Sequence, residues 1–517
     1  MKFIVLALLL TAIAVESYFP TKIPGYCNWS PEAAQIPALT NAEILSNDID
    51  SLKQVVVMIR HGSRTPWGAN SCWSGYENDI SWSDCNVTEL MLSSPAQYPY
   101  DSEVMPEPWL FRKVYDAFTN ELGGTNCMTG QLLKEGYEQE AANGKILKNA
   151  YLDNPNPKFN MFESDLWHSI NTEQIYFRSD DEQRTLMSGQ ILVSSLFNIT
   201  SPISIPTWHT GDDQIDQIAP NANACPRLNQ ASAAAYSSPD FIAENTSAAM
   251  NQLSVELDNI MGAGYWQWYT SLDCLMTAVC TNHSIPANAQ TGAEFTDLTF
   301  NQTISQAEYS YAYQALHNNS FYSKIGMGQT IYDMRTRIQA AVDGDSSALK
   351  FALWSAHDTS IMPFLAALLG DSWDRKWARY AALVSIEIYN STVVGSDDMF
   401  RMVYNGEPLL FPGCTTTICD VSVLLGSMSF AQETMPDCAA ESEDSPGTAG
   451  NSNLGTKKTL DSDSWILVCF ASVILGISIG GFISWFYLKR KFSSETENRT
   501  VLMGLQGDSN DNKNPLL

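Results

Sequence analysis

Three short stretches of the chain combine arginine, histidine and aspartate in ways that suit one kind of chemistry: Arg60-His61-Gly62-Ser63-Arg64-Thr65-Pro66, Arg178-Ser179-Asp180-Asp181, and Ser355-Ala356-His357-Asp358. Transfer of a phosphoryl group asks for positive charge around its equatorial oxygens, an in-line nucleophile, and a proton for the leaving oxygen. Arg60, Arg64 and Arg178 are candidates for the first task, because a guanidinium offers a planar donor fork and stays charged at any relevant pH. An imidazole attacks phosphorus only when unprotonated. His61 stands between two arginines, whose repulsion disfavours its charged form, and so is the candidate nucleophile. Asp358 is placed to hand a proton to the departing alkoxide, and His357 to contact the phosphate. Each piece also has a plain structural reading: a lone His-Asp pair is commonly a turn or helix cap, and a lone arginine is commonly solvated or ion-paired. The five specified positions of Arg-His-Gly-x-Arg-x-Pro, by contrast, recur by chance in a chain of this size only on the order of once in ten thousand.

Such residues must be brought together by the elements before and after them. Val55 to Ile59 is an unbroken apolar run that predicts a buried central strand stopped by Gly62 and Pro66. Ile175-Tyr176-Phe177 precedes Arg178 in the same way, and Asp181 to Phe197 has helical spacing with an acidic start. Leu349 to Trp354 is the third short run, after which Thr359 is the expected cap of a helix through Leu369. All three motifs are thus expected at strand exits, where an α/β sheet gathers separated stretches of chain. Helical patterns dominate from about 237 to 349 and predict a smaller, mainly helical cap.

With these motifs in this order, the chain resembles the histidine acid phosphatases of the lysosomal and prostatic type. The match to Arg-His-Gly-x-Arg-x-Pro is complete, Phe177 to Ser188 is similar to the family's middle arginine stretch, and His357-Asp358 matches its late His-Asp pair. The resemblance runs from about Lys53 to Cys438. It implies an α/β fold with a central, mostly parallel sheet flanked by helices, and hydrolysis of phosphate monoesters through a phosphohistidine at His61. Arg60, Arg64, Arg178 and His357 would bind the phosphate and Asp358 would protonate the leaving group, with no cofactor and no metal. Arg184 also falls in the matching stretch, but about a turn and a half beyond Arg178 it is expected to point elsewhere. His209 is expected in the core. Glu140 stands where the family often has a histidine, which is expected to alter an outer surface. The segment from Trp67 to Cys127, rich in Trp, Cys and Ser, departs from the family and is expected to form part of the pocket rim.

Composition places this chemistry outside the cytosol. Residues 1–17 read as a secretory signal, and Trp465 to Leu488 is an uncharged span followed by Lys489-Arg490-Lys491, which together predict a single-pass type I membrane protein. The expected order is a lumenal domain at 18–440, a stalk at 441–464, the span at 465–488 and a cytosolic tail at 489–517. Gly476 and Gly480 could allow helix dimerisation, making a homodimer an expectation. Of the 11 cysteines, all but Cys469 lie before the span, which implies disulfides in an oxidising compartment. The resemblance suggests Cys225 with Cys438 and Cys414 with Cys419; pairing of Cys72 with Cys85 is a guess. Asn-x-Ser/Thr acceptors at Asn28, Asn86, Asn198, Asn245, Asn282, Asn301, Asn318 and Asn390 predict lumenal glycans.

A net charge of -28 excludes general nucleic-acid affinity and repels anions over most of the surface, so attraction must be local. It is compatible with an acidic compartment such as the lysosome, or with the cell surface. Small phosphomonoesters are then the expected partners. Two alternatives stay open: a narrower inositol-phosphate or lysophospholipid phosphatase, and an inactive receptor or adhesion ectodomain of the same fold, for which a decayed site would be expected.

Overall fold

A computed structural model describes residues 17–439, apart from 28–29, 165–166, 198–206, 264–265, 394, 396 and most of 68–126, where it describes 72, 73, 76, 82, 85, 89–93 and 109–113. The signal segment (except Ser17), stalk, span and tail lie outside the described residues. Among the described residues no helix is long and apolar enough to cross a membrane. The chain divides into two units, Met1–Ser442 and Glu443–Leu517; the sheet, its helices and the cleft all belong to the first.

The main sheet is built from β1 (Ile49–Arg60), β2 (Ile175–Ser179), β3 (Phe351–Ala356), β4 (Leu383–Ser391), β5 (Met399–Tyr404), β6 (Glu407–Pro408) and β7 (Ile418–Asp420). Its order is β6-β5-β4-β1-β3-β2, with β7 also paired to β5. β3 runs parallel to both β1 and β2, whereas β4 is antiparallel to β1 and β5 is antiparallel to β4. The α/β class therefore holds, with a mixed sheet. Only the three strands that end in the motifs are parallel, and parallelism is what puts their exits on one edge. The antiparallel half is reached after Leu369 through residues 370–382, which bring the chain back to the strand-exit edge, where Ala381 N–H meets the His61 carbonyl and β4 starts antiparallel to β1.

Strand alternation divides the core. Val55, Val57 and Ile59 of β1, all fully buried, pack with Phe177, Leu353, Leu147 and Leu192. The last two belong to α1 (Lys134–Tyr151) and α2 (Gln183–Leu196). Val56 and Met58 point the other way, into a larger cluster with Trp354 and residues of α3 (Trp268–Cys280), α4 (Asp297–Val342) and α5 (Asp358–Leu369). Each such side chain contributes about 1.5–3 kcal/mol. Two-sided burial explains the unbroken apolar run. Between 237 and 349 the described residues are mainly helical, and those helices share this second cluster with the sheet.

Five disulfides join the described cysteines: Cys27–Cys280, Cys72–Cys274, Cys85–Cys127, Cys225–Cys438 and Cys414–Cys419. The two pairings that the resemblance suggested are present. The guess of Cys72 with Cys85 is replaced: Cys72 reaches α3 instead, and Cys85 closes on Cys127. Within the described part of the departing segment, Trp67 is exposed and lines a cavity, as expected of a rim, whereas Trp73, Tyr76 and Trp82 are buried in the core. The Cys72–Cys274 bond ties the chain just beyond the first motif to α3. Replacing both cysteines by serine is expected to cost about 2–5 kcal/mol of stability, read as a lowered Tm by calorimetry. An unchanged Tm would show that core packing holds this segment without the bond.

Candidate active site

β1 delivers His61 to the edge of the sheet. The His61 N–H donates to the Ala356 carbonyl (2.9 Å), and its own carbonyl accepts from Ala381 N–H (3.1 Å), so its backbone is clamped between the β3 end and the entry to β4. The next residue has to be glycine. A Cβ at Gly62 would stand 2.4 Å from the carbonyl oxygen of Gly136 in α1, so helix and loop touch backbone to backbone.

The imidazole is oriented by two bonds within its own motif. His61 Nδ1 lies 2.9 Å from the Gly62 carbonyl oxygen, which can only accept, so Nδ1 carries the proton and Nε2 keeps the lone pair. Arg64 Nε is 3.4 Å from that Nε2. Burial, followed by repulsion from Arg64, Arg60 and Arg184, holds the imidazole well below its ordinary range. His61 is therefore neutral through mildly acid pH. Since the unfolded chain would protonate it below ~6.5, His61 contributes stability that is present above that pH and is lost as pH falls below it.

Asp358 opens α5 with His357 at the N-cap position. The cap expected at Thr359 thus lies two residues earlier, because β3 runs straight into the helix. The Asp358 carboxylate is buried and held by three donors: Thr359 N–H donates to Oδ1 (2.8 Å), and Trp377 Nε1 (2.8 Å) and Arg60 (2.8 Å) donate to Oδ2. Burial pushes its pKa up, but Arg60 and Arg64 more than offset this and leave the carboxyl below its ordinary value. In the empty site Asp358 is ionised, where residue type alone predicts a proton. His357 Nε2 is bonded to the carboxylate of Asp180 from the second motif.

A cavity of about 390 Å³ opens over these groups, lined at its base by His61, Arg64, Arg184, His357 and Asp358. Two expectations change here. Arg178 is not among the lining residues. In β2, Phe177 and Ser179 are buried on one face, and Arg178, on the other, is bound to Asp216 (2.5 Å). Arg184 is the arginine that reaches the cavity. The helical spacing assumed between the two does not exist, because β2 ends at Ser179 and α2 begins only at Gln183, so Arg184 sits in the first helical turn, over the strand exits. Arg60 is also absent from the lining. It is 1% exposed, and its guanidinium lies against Asp358, the Tyr26 hydroxyl, the Ala378 carbonyl (2.6 Å) and the Tyr380 ring (4.1 Å). Its reach to the cavity is through Asp358.

Asp273 of α3 joins the site without any signal in the sequence. It accepts from Arg64 (2.8 Å) and from Trp67 N–H (2.9 Å), and so fixes the second arginine of the first motif. No local pattern marks it. Asp180, Glu182 and His357 place a ligand atom each within 4.8 Å of one another, a grouping that spacing does not reveal; His357 is bonded to Asp180, and Glu182 pairs with Arg184.

Two outlying expectations are also corrected. His209 is exposed and stacks on Tyr176 (4.6 Å between rings), because its backbone joins the edge of β2 and leaves the side chain outside. Glu140 is not at an outer surface: it is fully buried in α1, with Asn143 Nδ2 donating to it at 3.1 Å and no cation beside it among the described residues. Burial raises its pKa well above the ordinary value. The folded state therefore holds a proton that the unfolded state loses above about 4.3, and the stability this group contributes is full below that pH and is lost as pH rises. Glu140→Gln is expected to flatten the decline in stability between mildly acid and neutral pH, by at most about 1.4 kcal/mol per pH unit, read as Tm against pH; parallel Tm curves for both proteins would contradict this.

Taken together, an imidazole whose unprotonated Nε2 accepts from Arg64, two guanidinium groups and a carboxylate at one sheet edge define a cleft of the kind that histidine-dependent phosphoryl transfer requires. The chain belongs to the histidine phosphatase superfamily (branch 2), whose family model matches residues 51–405. It is similar to counting factor 60 of Dictyostelium discoideum (28% identical, covering 77% of this chain and 88% of that protein) and to lysophosphatidic acid phosphatase type 6 of Bos taurus (23%, covering 73% and 83%). It is also similar to human prostatic acid phosphatase (25%, covering 55% and 73%). Among solved structures it is similar to a phytase of Klebsiella sp. ASR1, with 14% identity, a TM-score of 0.46, and coverage of 76% of this chain and 98% of that one.

Proposed function

We propose that this protein is an acid phosphatase that hydrolyses phosphate monoesters through a phosphohistidine intermediate at His61, in an acidic lumenal or extracellular compartment. The observation that carries the reading is the tautomer of His61: Nδ1 is tied to the Gly62 carbonyl, and Nε2 presents its lone pair beside Arg64 at the floor of the cavity.

In the first step Nε2 attacks phosphorus and the P–O bond to the alcohol breaks, while Arg64, Arg184 and His357 hold the phosphoryl oxygens. The leaving alkoxide takes a proton through Asp358. Because Asp358 is ionised in the empty site, that proton arrives with the substrate. A phosphate monoester has its second pKa near ~6, so its monoanion carries one proton into the cleft, and the added negative charge favours protonation of Asp358. In the second step Asp358 takes a proton from water, the water oxygen attacks phosphorus, and the N–P bond breaks. Arg60 positions Asp358 and need not touch the phosphate.

Acid-favoured turnover follows without any protonation of His61. Hydrolysis of a panel of aryl and alkyl phosphates by the full chain is expected to fall as pH rises above ~6, when the substrate becomes the dianion. Absence of turnover across the panel at every pH would overturn the reading and return attention to a binding ectodomain. Replacing one preorganised donor to a transferring group costs about 10²-fold or more, so Arg184→Ala is expected to lower kcat/KM by about that factor. Arg178→Ala is expected to act mainly on stability, by freeing buried Asp216. Equal kinetic losses in both variants would contradict the assignment. The membrane anchor, glycans and lysosome-like address belong to this proposal, supported by the motifs at either end of the chain and by five disulfides of a kind that persists in oxidising compartments.

A further inference from the structure

The wall of the cavity differs in charge from its base. Above the phosphate-holding groups stand Glu182, Asp213 and the exposed ring of Trp67, facing an apolar stretch that includes Ile218 and Pro220. Among the described residues the only lysines or arginines lining the cavity are Arg64 and Arg184, and Arg184 already pairs with Glu182. Among the same residues no lysine or arginine pairs with Asp213. Its pKa is raised, by burial and then by the charges of Asp180, Glu182 and Asp181, the mark of a locally negative field. A second phosphate or a carboxylate on the leaving group would enter that field with no further cation among the described residues to receive it. A positively charged group would enter it favourably and could rest on the Trp67 ring.

We infer that the preferred substrates are phosphate monoesters of amino alcohols, their protonated or quaternary amine held between Asp213 and Trp67 while the phosphate sits on Arg64 and Arg184. The inference rests on the phosphatase reading and adds the substrate class to it. Trp67, 53% exposed and part of the cavity's lining, then has a purpose that packing does not supply.

The test compares kcat/KM of the full chain for 2-aminoethyl, 3-aminopropyl and choline phosphates with n-alkyl phosphates of matched length, inositol hexakisphosphate and 4-nitrophenyl phosphate. One exposed ion pair and one cation–ring contact together predict a preference of about tenfold for the amine over its neutral match. That ratio is expected to shrink about fivefold in Asp213→Asn and to reverse in Asp213→Lys. Equal values for amine and alkyl esters, or a preference for the hexakisphosphate, would overturn the inference while turnover of 4-nitrophenyl phosphate left the phosphatase reading intact. If no ester is turned over, the phosphatase reading fails, and calorimetric binding of 2-aminoethylphosphonate against ethylphosphonate still decides the preference: tighter binding of the amine supports it, and equal or absent binding overturns it.

Discussion

His61→Ala is expected to lower kcat/KM for 4-nitrophenyl phosphate by about four orders of magnitude or more, with the fold retained. The size follows from the role: removing a nucleophile removes the covalent route, and the arginines alone leave only electrostatic assistance to water. Retention of the fold follows from the site. The imidazole makes its hydrogen bonds within its own motif, to the Gly62 carbonyl and from Arg64 Nε, while the backbone of His61 is held by Ala356 and Ala381 whatever its side chain. Circular dichroism and Tm beside the kinetics separate the two effects. A variant that folds and keeps a tenth of the activity would remove His61 from the nucleophile's role.

Asp358→Asn is expected to lose about 10²–10⁴-fold on alkyl phosphates, the range of general acid catalysis, and much less on 2,4-dinitrophenyl phosphate, whose leaving group needs no proton. The contrast between substrates is the informative part. The substitution also leaves buried Arg60 without its carboxylate and turns an amide toward donors from Trp377 or Thr359. Breaking such a pair costs about 3–5 kcal/mol, so a lower Tm should accompany the kinetic loss. A uniform loss over all leaving groups would make Asp358 a structural partner of Arg60 and no more.

Much of this site is legible in the sequence because strand exits are marked by local patterns. The apolar run before Arg60, the glycine after His61 and the short run before His357 each act over a few residues, and β-sheet pairing then brings them together. What is not legible depends on how the chain turns between elements. Arg178 and Arg184 are separated by six positions, and which of them faces the cleft is decided by where β2 stops and α2 starts, a boundary of three residues that spacing arguments treat as continuous helix. Asp216 and Asp273, which bind Arg178 and Arg64, come from distant segments with no pattern of their own. Glu140 escapes the sequence for a similar reason: a single acid in a polar stretch of helix reads as exposed, and only the packing of α1 against the sheet shows it buried. The mixed sheet also needs the structure, since nothing in Leu383 to Ile388 sets the direction in which that strand runs.

The ionised state of Asp358 modifies the mechanism that residue types alone suggest. A carboxyl next to a histidine invites the role of resident acid, but two arginines at close range keep it charged, and the proton then has to come with the substrate. On the proposed mechanism, a preference for acid would be a property of the substrate's second ionisation as much as of the protein. The buried Glu140 adds a stability term of the same sign, favouring an acidic setting.

The most direct test of the account is to trap the covalent intermediate. The full chain, mixed with a radiolabelled phosphate monoester near pH 5 and quenched in alkali within milliseconds, should carry label that is stable to base, labile to acid, and mapped by peptide mass spectrometry to His61. Label on another residue, or full turnover with a nucleophile trapped nowhere on the chain, would contradict the phosphohistidine and with it the reading of this cleft.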